Sequence, residues 1–362
     1  MKDRMKALVY HGEGRISLED QPVPRILEER DVIVRVTRST ICTSDLHIIR
    51  GAVPKAVPGI VLGHEFVGEV VETGAGVRSL RLGDRVAANC ETFCGECWFC
   101  KRGYINNCVR GGWKLGCEID GCQAEYVRVP YGDMGLTRLS DEVGYEQALF
   151  VGDILSSGYF GAELAEIRAG DTVAVIGAGP VGLCAAECAR LMGAGTVIMV
   201  DVNQERLELA KAQGLADLCL NPERDQVKDA VAAVTEGRGA DGVIEAAGGG
   251  DTFRLAWEIA RPNAVVAVVA MYEESQVLPL PDMYGKNLIF KTGGVDARRC
   301  KKLVELIAAG RLNTDFLITH RGSLKEILEG YRIFEEHRDG CMKWVVVGAP
   351  EAVCKKEKCA KR

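Results

Sequence analysis

Residues 171–192, DTVAVIGAGPVGLCAAECARLM, combine an apolar strand pattern, a glycine-rich turn and a helix pattern in that order. The Val-rich run 171–176 has the length of a buried strand, and the Ala- and Leu-rich run 183–192 predicts a helix. In that context Gly177 allows the tight turn, Gly179 lets a pyrophosphate approach the backbone, and Gly182 lets helix and strand pack closely. The phosphates would lie at the helix N-terminus, where free N–H groups favour negative charge. We therefore expect a dinucleotide site that includes Gly177, Gly179, Pro180, Val181 and Gly182.

An aspartate at the end of the next strand pattern sharpens this prediction. Asp201 follows the run Thr196–Val200 and lies nineteen residues beyond Gly182. A carboxylate in this place can hydrogen-bond both ribose hydroxyls of adenosine and repels a 2′-phosphate, which favours NAD over NADP. Arg206 is the opposing signal, because a nearby arginine can receive that phosphate. We expect NAD as the cofactor.

The composition and charge are those of an ordinary globular chain. Its 362 residues leave room for two domains, and 47% are hydrophobic and 27% charged. The formal net charge of −6 argues against a nucleic-acid partner. The apolar run Ala264–Tyr272 is far too short for a membrane span, which needs about 20 residues, and residues 1–14 contain no apolar signal core. We expect a cytoplasmic protein that uses its 15 cysteines as metal ligands or free thiols.

Two patterns divide the chain. From residue 171 onward, strand and helix patterns alternate, which predicts a parallel, doubly wound sheet and the α/β class. The strands are expected at 171–176, 196–200, 242–244 and 264–270, and the helices at 183–193, 203–213, 223–236 and 252–260. Earlier, short β-branched runs at 6–10, 31–37, 67–72 and 85–88 indicate a β-rich first domain. Further predictions are a strand at 288–292, a helix at about 298–309, and a strand at 344–347 that is a candidate to return to the first domain.

Four cysteines lie close together in the first domain: Cys94, Cys97, Cys100 and Cys108. Their spacing, C-x2-C-x2-C-x7-C, can close a tetrahedral thiolate shell around Zn2+ within one loop. A redox C-x-x-C pair would explain two of the four, and zinc fits the spacing better than an iron–sulfur cluster. Four thiolates leave no open position on the ion, so we expect this zinc to be structural.

A second group of metal-ligand types is scattered along the chain. Cys42 follows a strand pattern, His64 and Glu65 precede another, and Asp153 lies just before the nucleotide domain. Singly, each has an ordinary explanation, because a lone cysteine is usually a small core residue and a lone histidine or aspartate is usually a satisfied polar group. His64-Glu65 is not the metalloprotease helix signature, since Gly68 stands where that signature requires a second histidine.

Taken together, these residues resemble the zinc-dependent medium-chain alcohol dehydrogenases, in particular the bacterial secondary-alcohol dehydrogenases. Gly63-His64-Glu65 followed by Gly68, the four-cysteine loop and Gly177–Gly182 occur in that family's order and at similar spacing, and the resemblance covers all but the cysteine-rich tail. It implies a GroES-like catalytic domain, residues 1–154 and 298–362, and a Rossmann NAD-binding domain, residues 155–297. The catalytic zinc would lie in the cleft between them.

The resemblance also implies the ligands of the catalytic zinc: Cys42, His64 and Asp153. Asp153 stands where the animal and yeast enzymes have a cysteine, and bacterial secondary-alcohol and formaldehyde dehydrogenases have aspartate there too. A thiolate, a neutral imidazole and a carboxylate balance the charge of Zn2+ and leave the fourth position for substrate. Glu65 matches the neighbouring carboxylate that can approach the metal during ligand exchange.

Further roles carry over in the same way. Ser44 matches the hydroxyl that takes the proton from the alcohol, and His47 matches the imidazole that relays this proton to solvent. Asp45 is expected to accept a hydrogen bond from the histidine ligand. Ser157 would lie near the nicotinamide, and Lys343 matches a basic residue near the cofactor phosphates.

The implied activity is hydride transfer between NAD and an alcohol/ketone or aldehyde pair. Candidate pocket residues are Ile48, Cys90, Trp113 and Met271, and a cysteine at position 90 leaves more room than an aromatic residue, which favours secondary or bulky alcohols. Each chain would hold one catalytic and one structural zinc. Its partners would be the small-molecule alcohol or carbonyl substrate and further copies of the chain, in a homodimer or homotetramer.

Two alternatives stay open. Formaldehyde dehydrogenases of this superfamily tend to carry a long extra loop, and none is obvious here. Polyol dehydrogenases often replace cysteine ligands with glutamate and lose cysteines of the structural loop, whereas this chain has all four. The fold also hosts zinc-free quinone reductases and non-catalytic binding proteins, which would lack the catalytic ligands.

Overall fold

The computed structural model describes residues 3–348. Its strands are β1 (Arg4–Tyr10), β2 (Ile16–Pro22), β3 (Val32–Thr40), β4 (Phe66–Thr73), β5 (Arg85–Ala88), β6 (Tyr126–Val129), β7 (Leu136–Arg138), β8 (Thr172–Ile176), β9 (Thr196–Val200), β10 (Leu218–Leu220), β11 (Ala240–Glu245), β12 (Ala260–Val268), β13 (Ile289–Thr292), β14 (Ile318–Ser323) and β15 (Lys343–Val347). Its α-helices are α1 (Thr43–Ile49), α2 (Gly132–Gly135), α3 (Tyr145–Ala148), α4 (Ile154–Leu164), α5 (Pro180–Met192), α6 (Gln204–Ala212), α7 (Val227–Val234), α8 (Thr252–Ile259), α9 (Leu280–Met283), α10 (Cys300–Ala308) and α11 (Ile327–Glu335).

A parallel sheet carries the glycine-rich turn. Its strand order is β10-β9-β8-β11-β12-β13, and every neighbouring pair is parallel. Strands β8 and β9 consist almost entirely of buried Val, Ile, Ala and Met side chains, as expected where both faces of a sheet are covered. The predicted alternation of strands and helices is confirmed. Strand β12 begins earlier than predicted because α8 passes into it without a loop, and β10 was missed because it has only three residues.

A second, mostly antiparallel sheet forms the β-rich part of the molecule. Its order is β14-β15-β3-β4-β5-β7, with β6 also paired to β3, while β1 and β2 pair with each other. Strand β15 runs antiparallel to β3, with Val345 opposite Thr40. The last predicted strand therefore does return to the first domain. Strand β2, with the sequence ISLEDQP, was not predicted because it lacks a β-branched run and is only partly buried.

Helices α4 and α5 pack against each other. Gly158 of α4 lies so close to α5 that a Cβ added there would stand 2.6 Å from the Ala185 nitrogen. The helix that follows Asp153 and the helix that follows the glycine-rich turn therefore pack directly against each other. The expected domain boundaries at 154/155 and 297/298 stay predictions, and the parallel sheet lies within residues 172–292. None of the helices within residues 3–348 is long and apolar enough to cross a membrane.

Candidate active site

Four side chains with metal-binding atoms converge in the structure: Cys42, His64, Glu65 and Asp153. Their ligand atoms all lie within 4.8 Å of one another. His64 Nε2 is 3.2 Å from Asp153 Oδ2, and Cys42 Sγ is 3.8 Å from the same oxygen. The structure thus brings together the scattered residues that the sequence analysis singled out.

The ends of helices and strands position this cluster. Cys42 is the N-cap of α1, directly after β3, and its backbone N–H donates to Asp45 Oδ2 at 3.0 Å. His64 lies just before β4, and its Nδ1 is 3.5 Å from Asp45 Oδ1. Asp153 is the N-cap of α4. Gln123 Nε2 donates to Asp45 Oδ2 at 3.0 Å, so the aspartate that accepts from the start of α1 is itself held in place beside the imidazole.

Negative groups surround the imidazole of His64. Burial disfavours its charged form, yet hydrogen bonds to Asp153 and Asp45 raise the pKa of His64 well above its usual value. Burial would raise the pKa of Asp153, but the hydrogen bond and charge of His64, together with the charge of Lys343, hold it below its usual value. Both shifts have one cause, the pairing of the two groups, in which each stabilises the charged form of the other. A divalent cation in place of the positive charge on His64 would be stabilised by the same carboxylates.

The donor set fits zinc. With metal–ligand bonds of about 2.0 to 2.3 Å, the ligands of a tetrahedral zinc lie about 3.3 to 3.8 Å apart. The two separations at Asp153 Oδ2, 3.2 and 3.8 Å, are close to this range. Glu65 Oε1 is buried at the cluster and has no hydrogen-bond partner within the described residues. An orphaned carboxylate oxygen beside a thiol, an imidazole and a second carboxylate is what a cation site requires.

Lys343 departs from the role expected of it. Only 1% of its side chain is exposed, and its Nζ lies 2.6 Å from Glu65 Oε2 and 2.9 Å from the Ile41 carbonyl oxygen. A buried ammonium with these partners is not free to meet the cofactor phosphates. Its contacts instead support a structural role, because it holds one oxygen of Glu65. Burial, opposed by the charge of Lys343, raises the pKa of Glu65 to about 7.

Ser44 and His47 lie on one face of α1, three residues apart. Ser44 Oγ is 3.5 Å from Cys42 Sγ, so the hydroxyl adjoins the cluster. His47 Nδ1 is 2.7 Å from Glu273 Oε1. Glu273 belongs to the segment after β12, so this contact joins α1 to the end of a parallel strand. The sequence analysis missed Glu273, because a single glutamate in a loop carries no pattern.

The four cysteines of the loop also come together. Their sulfurs lie within 4.8 Å of one another, and Cys94 Sγ is 3.6 Å from Cys108 Sγ and 4.0 Å from Cys100 Sγ. Two thiolates on one Zn2+ are expected at about 3.8 Å. Backbone hydrogen bonds from Cys100 and Val109 lower the pKa of the Cys97 thiol to about 6, which favours the thiolate. The loop can hold a metal ion with a complete set of protein ligands.

The glycine-rich turn has the shape of a phosphate-binding turn. Gly177 has a φ of +100°, and a Cβ there would stand 2.9 Å from the Ala247 nitrogen. A Cβ on Gly182 would stand 1.7 Å from the Gly177 carbonyl oxygen, so only glycine allows α5 to pack this closely. Gly179 is the N-cap of α5 and Pro180 its first residue. The remaining N–H groups of this first turn are the donors that a phosphate would use.

Asp201 and Arg206 flank this turn. Asp201 Oδ2 accepts a hydrogen bond from the Ala178 N–H at 2.6 Å, and Oδ1 accepts one from the Asn203 N–H at 2.7 Å. The carboxylate is thus fixed between the turn and α6. The Arg206 guanidinium lies 3.9 Å from the place where a Cβ on Gly179 would stand, so it faces the turn itself.

Comparison with known proteins identifies the family. The description "Alcohol dehydrogenase GroES-like domain" matches residues 28–140, and "Zinc-binding dehydrogenase" matches residues 180–309. The alcohol dehydrogenase of Cupriavidus necator is 38% identical over 370 residues, which cover 95% of this chain and 98% of that protein. This chain belongs to the zinc-dependent medium-chain alcohol dehydrogenase family. The expected α/β fold class and the expected activity, zinc-dependent oxidoreduction of an alcohol with a nicotinamide cofactor, are confirmed.

Solved and characterised members show the same similarity. The alcohol dehydrogenase TADH from Thermus sp. ATN1 has 37% identity and a TM-score of 0.89, with 95% of this chain and 100% of that chain covered. The NADP-dependent isopropanol dehydrogenase of Thermoanaerobacter brockii is 36% identical over 80% of this chain and 84% of that protein.

Two of the four pocket candidates, Ile48 and Met271, differ in burial, and Ser157 lies near the start of α4. Ile48 is fully buried within an apolar cluster, so its contacts are those of a core residue, and Met271 is half exposed. Ser157 lies one turn into α4 and is partly exposed, with its backbone N–H donating to the Asp153 carbonyl oxygen at 2.6 Å.

Cys90 and Trp113 adjoin the cluster of Cys42, His64, Glu65 and Asp153. The Cys90 thiol lies within hydrogen-bonding reach of Asp153. The rings of Trp113 and His64 meet edge to face, with their centroids 5.6 Å apart. Between Cys90 and the four-cysteine loop stands Glu91, a buried carboxyl that the sequence analysis missed because no motif includes it. Burial, opposed by the charge of Lys55, raises the pKa of Glu91 to about 8.

Proposed function

We propose that this dehydrogenase transfers hydride between a secondary or bulky alcohol and NAD, and that Cys42, His64 and Asp153 hold its catalytic zinc. The observation that carries the proposal is the convergence of a thiol, an imidazole and a carboxylate from three distant segments. Zinc, when bound there, supplies Lewis-acid polarisation of the alcohol oxygen, and the nicotinamide ring supplies the hydride acceptor. The four loop cysteines are assigned to a structural zinc.

The chain's own residues orient the ligands and carry the proton. Asp45 Oδ1 lies 3.5 Å from Nδ1 of His64 on the side away from the cluster, and Nε2 of His64 faces Asp153. Ser44 Oγ, 3.5 Å from Cys42 Sγ, takes the proton of the substrate hydroxyl. His47, three residues further along α1, passes the proton to solvent past Glu273. Among residues 3–348, no group hydrogen-bonds Glu65 Oε1 beside the cluster, as expected of a carboxylate that assists ligand exchange.

The cofactor assignment rests on the turn and its two flanking residues. The Asp201 carboxylate is fixed beside the glycine-rich turn, where it would bind the adenosine ribose and repel a 2′-phosphate. Because Arg206 faces Gly179, we assign it to the pyrophosphate rather than to a 2′-phosphate. With this assignment Arg206 does not favour NADP over NAD. Ser157 is assigned to the nicotinamide end of the cleft.

A panel of primary and secondary alcohols, each measured with NAD and with NADP on zinc-loaded protein, tests the proposal. We expect the highest kcat/KM for secondary alcohols with NAD. Ser44→Ala should lower kcat by about 10²- to 10⁴-fold, which is the usual contribution of a positioned proton-transfer group. Ser140→Ala, at an exposed serine, is the matched control. Wild-type turnover in Ser44→Ala, or no alcohol oxidation with either cofactor, would contradict the proposal.

We also infer that the chain forms a homodimer or homotetramer and that it works in the cytoplasm. Strand β13 is an edge of the parallel sheet, and exposed apolar side chains lie on it and before it, including Ile289, Leu280 and Val277. None of the cysteines within residues 3–348 forms a disulfide, as expected in a reducing compartment. Light scattering on the purified protein distinguishes a monomer, a dimer and a tetramer.

A further inference from the structure

The Glu273 carboxylate reaches the histidine of α1 from the side of the parallel sheet. Its Oε1 lies 2.7 Å from Nδ1 of His47. The residue before it is anchored on the sheet side, because the Tyr272 hydroxyl lies 2.9 Å from Thr252 Oγ1 of α8. The carboxylate therefore extends from a held segment, beyond the carboxyl end of β12, toward α1.

The two members of this contact differ in their access to water. Only 13% of the His47 side chain is exposed, and its Nδ1 atom is buried. Among residues 3–348 no aligned hydrogen bond reaches Nδ1, so the Glu273 carboxylate at 2.7 Å is the polar group that it faces. Of the Glu273 side chain, 58% is exposed. A proton on Nδ1 therefore has a path to water through the carboxylate and no direct one.

We propose that Glu273 takes the relayed proton from His47 and delivers it to solvent. An imidazole relays a proton when it gains one at one nitrogen and loses one from the other. The Nδ1–H bond of the imidazolium breaks and an O–H bond forms at Glu273 Oε1, which leaves a neutral imidazole and a carboxylic acid. The acid then releases the proton to water, one proton for each hydride transferred to NAD. This inference rests on the proposed function, in which His47 carries the proton of the substrate hydroxyl.

The charges around the pair suit this transfer. When His47 holds the relayed proton, its positive charge and the Glu273 carboxylate attract each other across the 2.7 Å contact. Other charged groups of α1 have partners of their own, since Asp45 accepts from the helix start and Arg50 pairs with Glu335 at 2.8 Å. The carboxylate that meets the relay imidazole is therefore the one that also reaches water.

Two variants of Glu273 separate proton transfer from a contact that only holds α1 in place. Glu273→Gln keeps an oxygen that can accept from the imidazole and does not take up a proton, whereas Glu273→Asp keeps the carboxylate on a shorter side chain. With butan-2-ol and NAD on zinc-loaded enzyme, Glu273→Gln should lower kcat about tenfold, less than the usual ~10²- to 10⁴-fold because water partly replaces the carboxylate. Glu273→Asp should recover most of this loss, and the KM for the alcohol should stay unchanged in both.

The matched control is Glu274→Gln, at the exposed neighbouring glutamate, which should behave as the wild type. Wild-type kcat in Glu273→Gln, with butan-2-ol oxidised, would overturn the inference and leave the proposed function intact. A lower kcat in Glu273→Asp than in Glu273→Gln would also overturn it, because a contact that only holds α1 in place needs the length of the side chain and not its charge.

A buffer base should replace the missing carboxylate. Glu273→Ala removes the side chain that faces Nδ1 of His47, so kcat should be low in dilute HEPES and should rise with HEPES concentration at constant pH and ionic strength. The wild type and Glu274→Gln should show no such dependence, because their carboxylate already carries the proton. A kcat of Glu273→Ala that does not respond to the buffer would overturn the exit through Glu273.

Nitrogen NMR of the histidine rings tests the contact without turnover. The chain has five histidines, and the signals lost in His47→Gln identify His47. In the zinc-loaded protein the neutral His47 ring should carry its proton on Nδ1, because the hydrogen-bond partner selects the tautomer, and Glu273→Ala should reduce that tautomer. This result would support the exit even if no alcohol were oxidised, an outcome that would refute the proposed function alone. A wild-type ring with its proton only on Nε2 would overturn the exit.

Discussion

The two cysteine-containing clusters of this dehydrogenase are built in opposite ways. The loop cysteines, Cys94 to Cys108, lie in one short segment, whereas Cys42, His64 and Asp153 come from the start of α1, the segment before β4 and the start of α4. The loop has little regular structure of its own, so metal binding and folding of the loop are coupled. The scattered cluster is positioned by β3 and β4 of one sheet, by α4 and by Asp45, so the fold itself brings its ligands together.

The two clusters would also differ in net charge and in free coordination positions when each holds Zn2+. Four thiolates on Zn2+ leave a net charge of −2 and no open position, whereas a thiolate, an imidazole and a carboxylate leave a neutral site with one open position. Under the proposed assignment, similar ligand types serve stability in one cluster and chemistry in the other. Removing a loop ligand should therefore affect folding, and removing a ligand of the scattered cluster should affect turnover.

The largest expected effect is the loss of stability when a ligand of the four-cysteine loop is removed. Cys100→Ala should lose the zinc assigned to this loop and should unfold the protein, because binding of such a zinc contributes about 10–16 kcal/mol in zinc-finger peptides. Thermal unfolding together with metal analysis measures this, with Cys219→Ala, outside both clusters, as the control. A folded Cys100→Ala protein with normal activity and one zinc fewer would refute the structural role.

The next largest expected effect is the loss of turnover when a ligand of the scattered cluster is removed. His64→Ala should lower turnover at least about a thousandfold, because Lewis-acid catalysis supplies several kcal/mol and each 1.4 kcal/mol is about tenfold in rate. Its thermal unfolding temperature should stay close to that of the wild type. His320→Ala, on β14, serves as the control for a histidine outside the cluster. If His64→Ala kept wild-type turnover, the zinc mechanism would be wrong.

The buried pair beside the cluster is expected to contribute to stability. Lys343→Met leaves the Glu65 carboxylate buried without its partner, which should cost about 3–5 kcal/mol of unfolding free energy. The double variant Glu65→Gln/Lys343→Met should lose less than the two single variants together, because neither charge is left unpaired. Urea unfolding measures all three, with the exposed Lys301→Met as control. Equal stability of Lys343→Met and Lys301→Met would contradict the structural role.

The smallest expected effect concerns the cofactor. Asp201→Asn removes the negative charge at the turn and keeps an oxygen that can accept from the Ala178 N–H. We expect the ratio of kcat/KM for NAD to that for NADP to fall about tenfold, which corresponds to one charge-assisted interaction. Asp229→Ala, on the exposed face of α7, is the control. An unchanged ratio in Asp201→Asn would remove the carboxylate from cofactor selection.

The sequence predicts local features of this molecule well. The turn at Gly177–Gly182 and the four-cysteine loop are each formed by one segment, so residue spacing alone determines which groups meet. The buried parallel strands are also predicted from single segments, because a strand covered on both faces is a continuous run of apolar side chains. The scattered cluster was predicted through family resemblance, because no local pattern indicates that residues 42, 64 and 153 meet.

The features that the sequence missed depend on tertiary contacts. Lys343 was expected at the cofactor phosphates, but β15 pairs with β3 and places its side chain against Glu65. Glu91 acquires its burial from the bridge between Thr92 and Gly112, which joins segments twenty positions apart. Such contacts leave no periodic pattern in either segment, so they can be read only from the structure.

Zinc content measured together with turnover in Asp153→Ala tests the central claim most directly. We predict two zinc ions per chain in the wild type, and in the variant one zinc ion, a folded protein and no measurable alcohol oxidation. An Asp153→Ala protein that keeps both zinc ions and oxidises alcohols at the wild-type rate would show that residues 42, 64 and 153 are not the catalytic metal site.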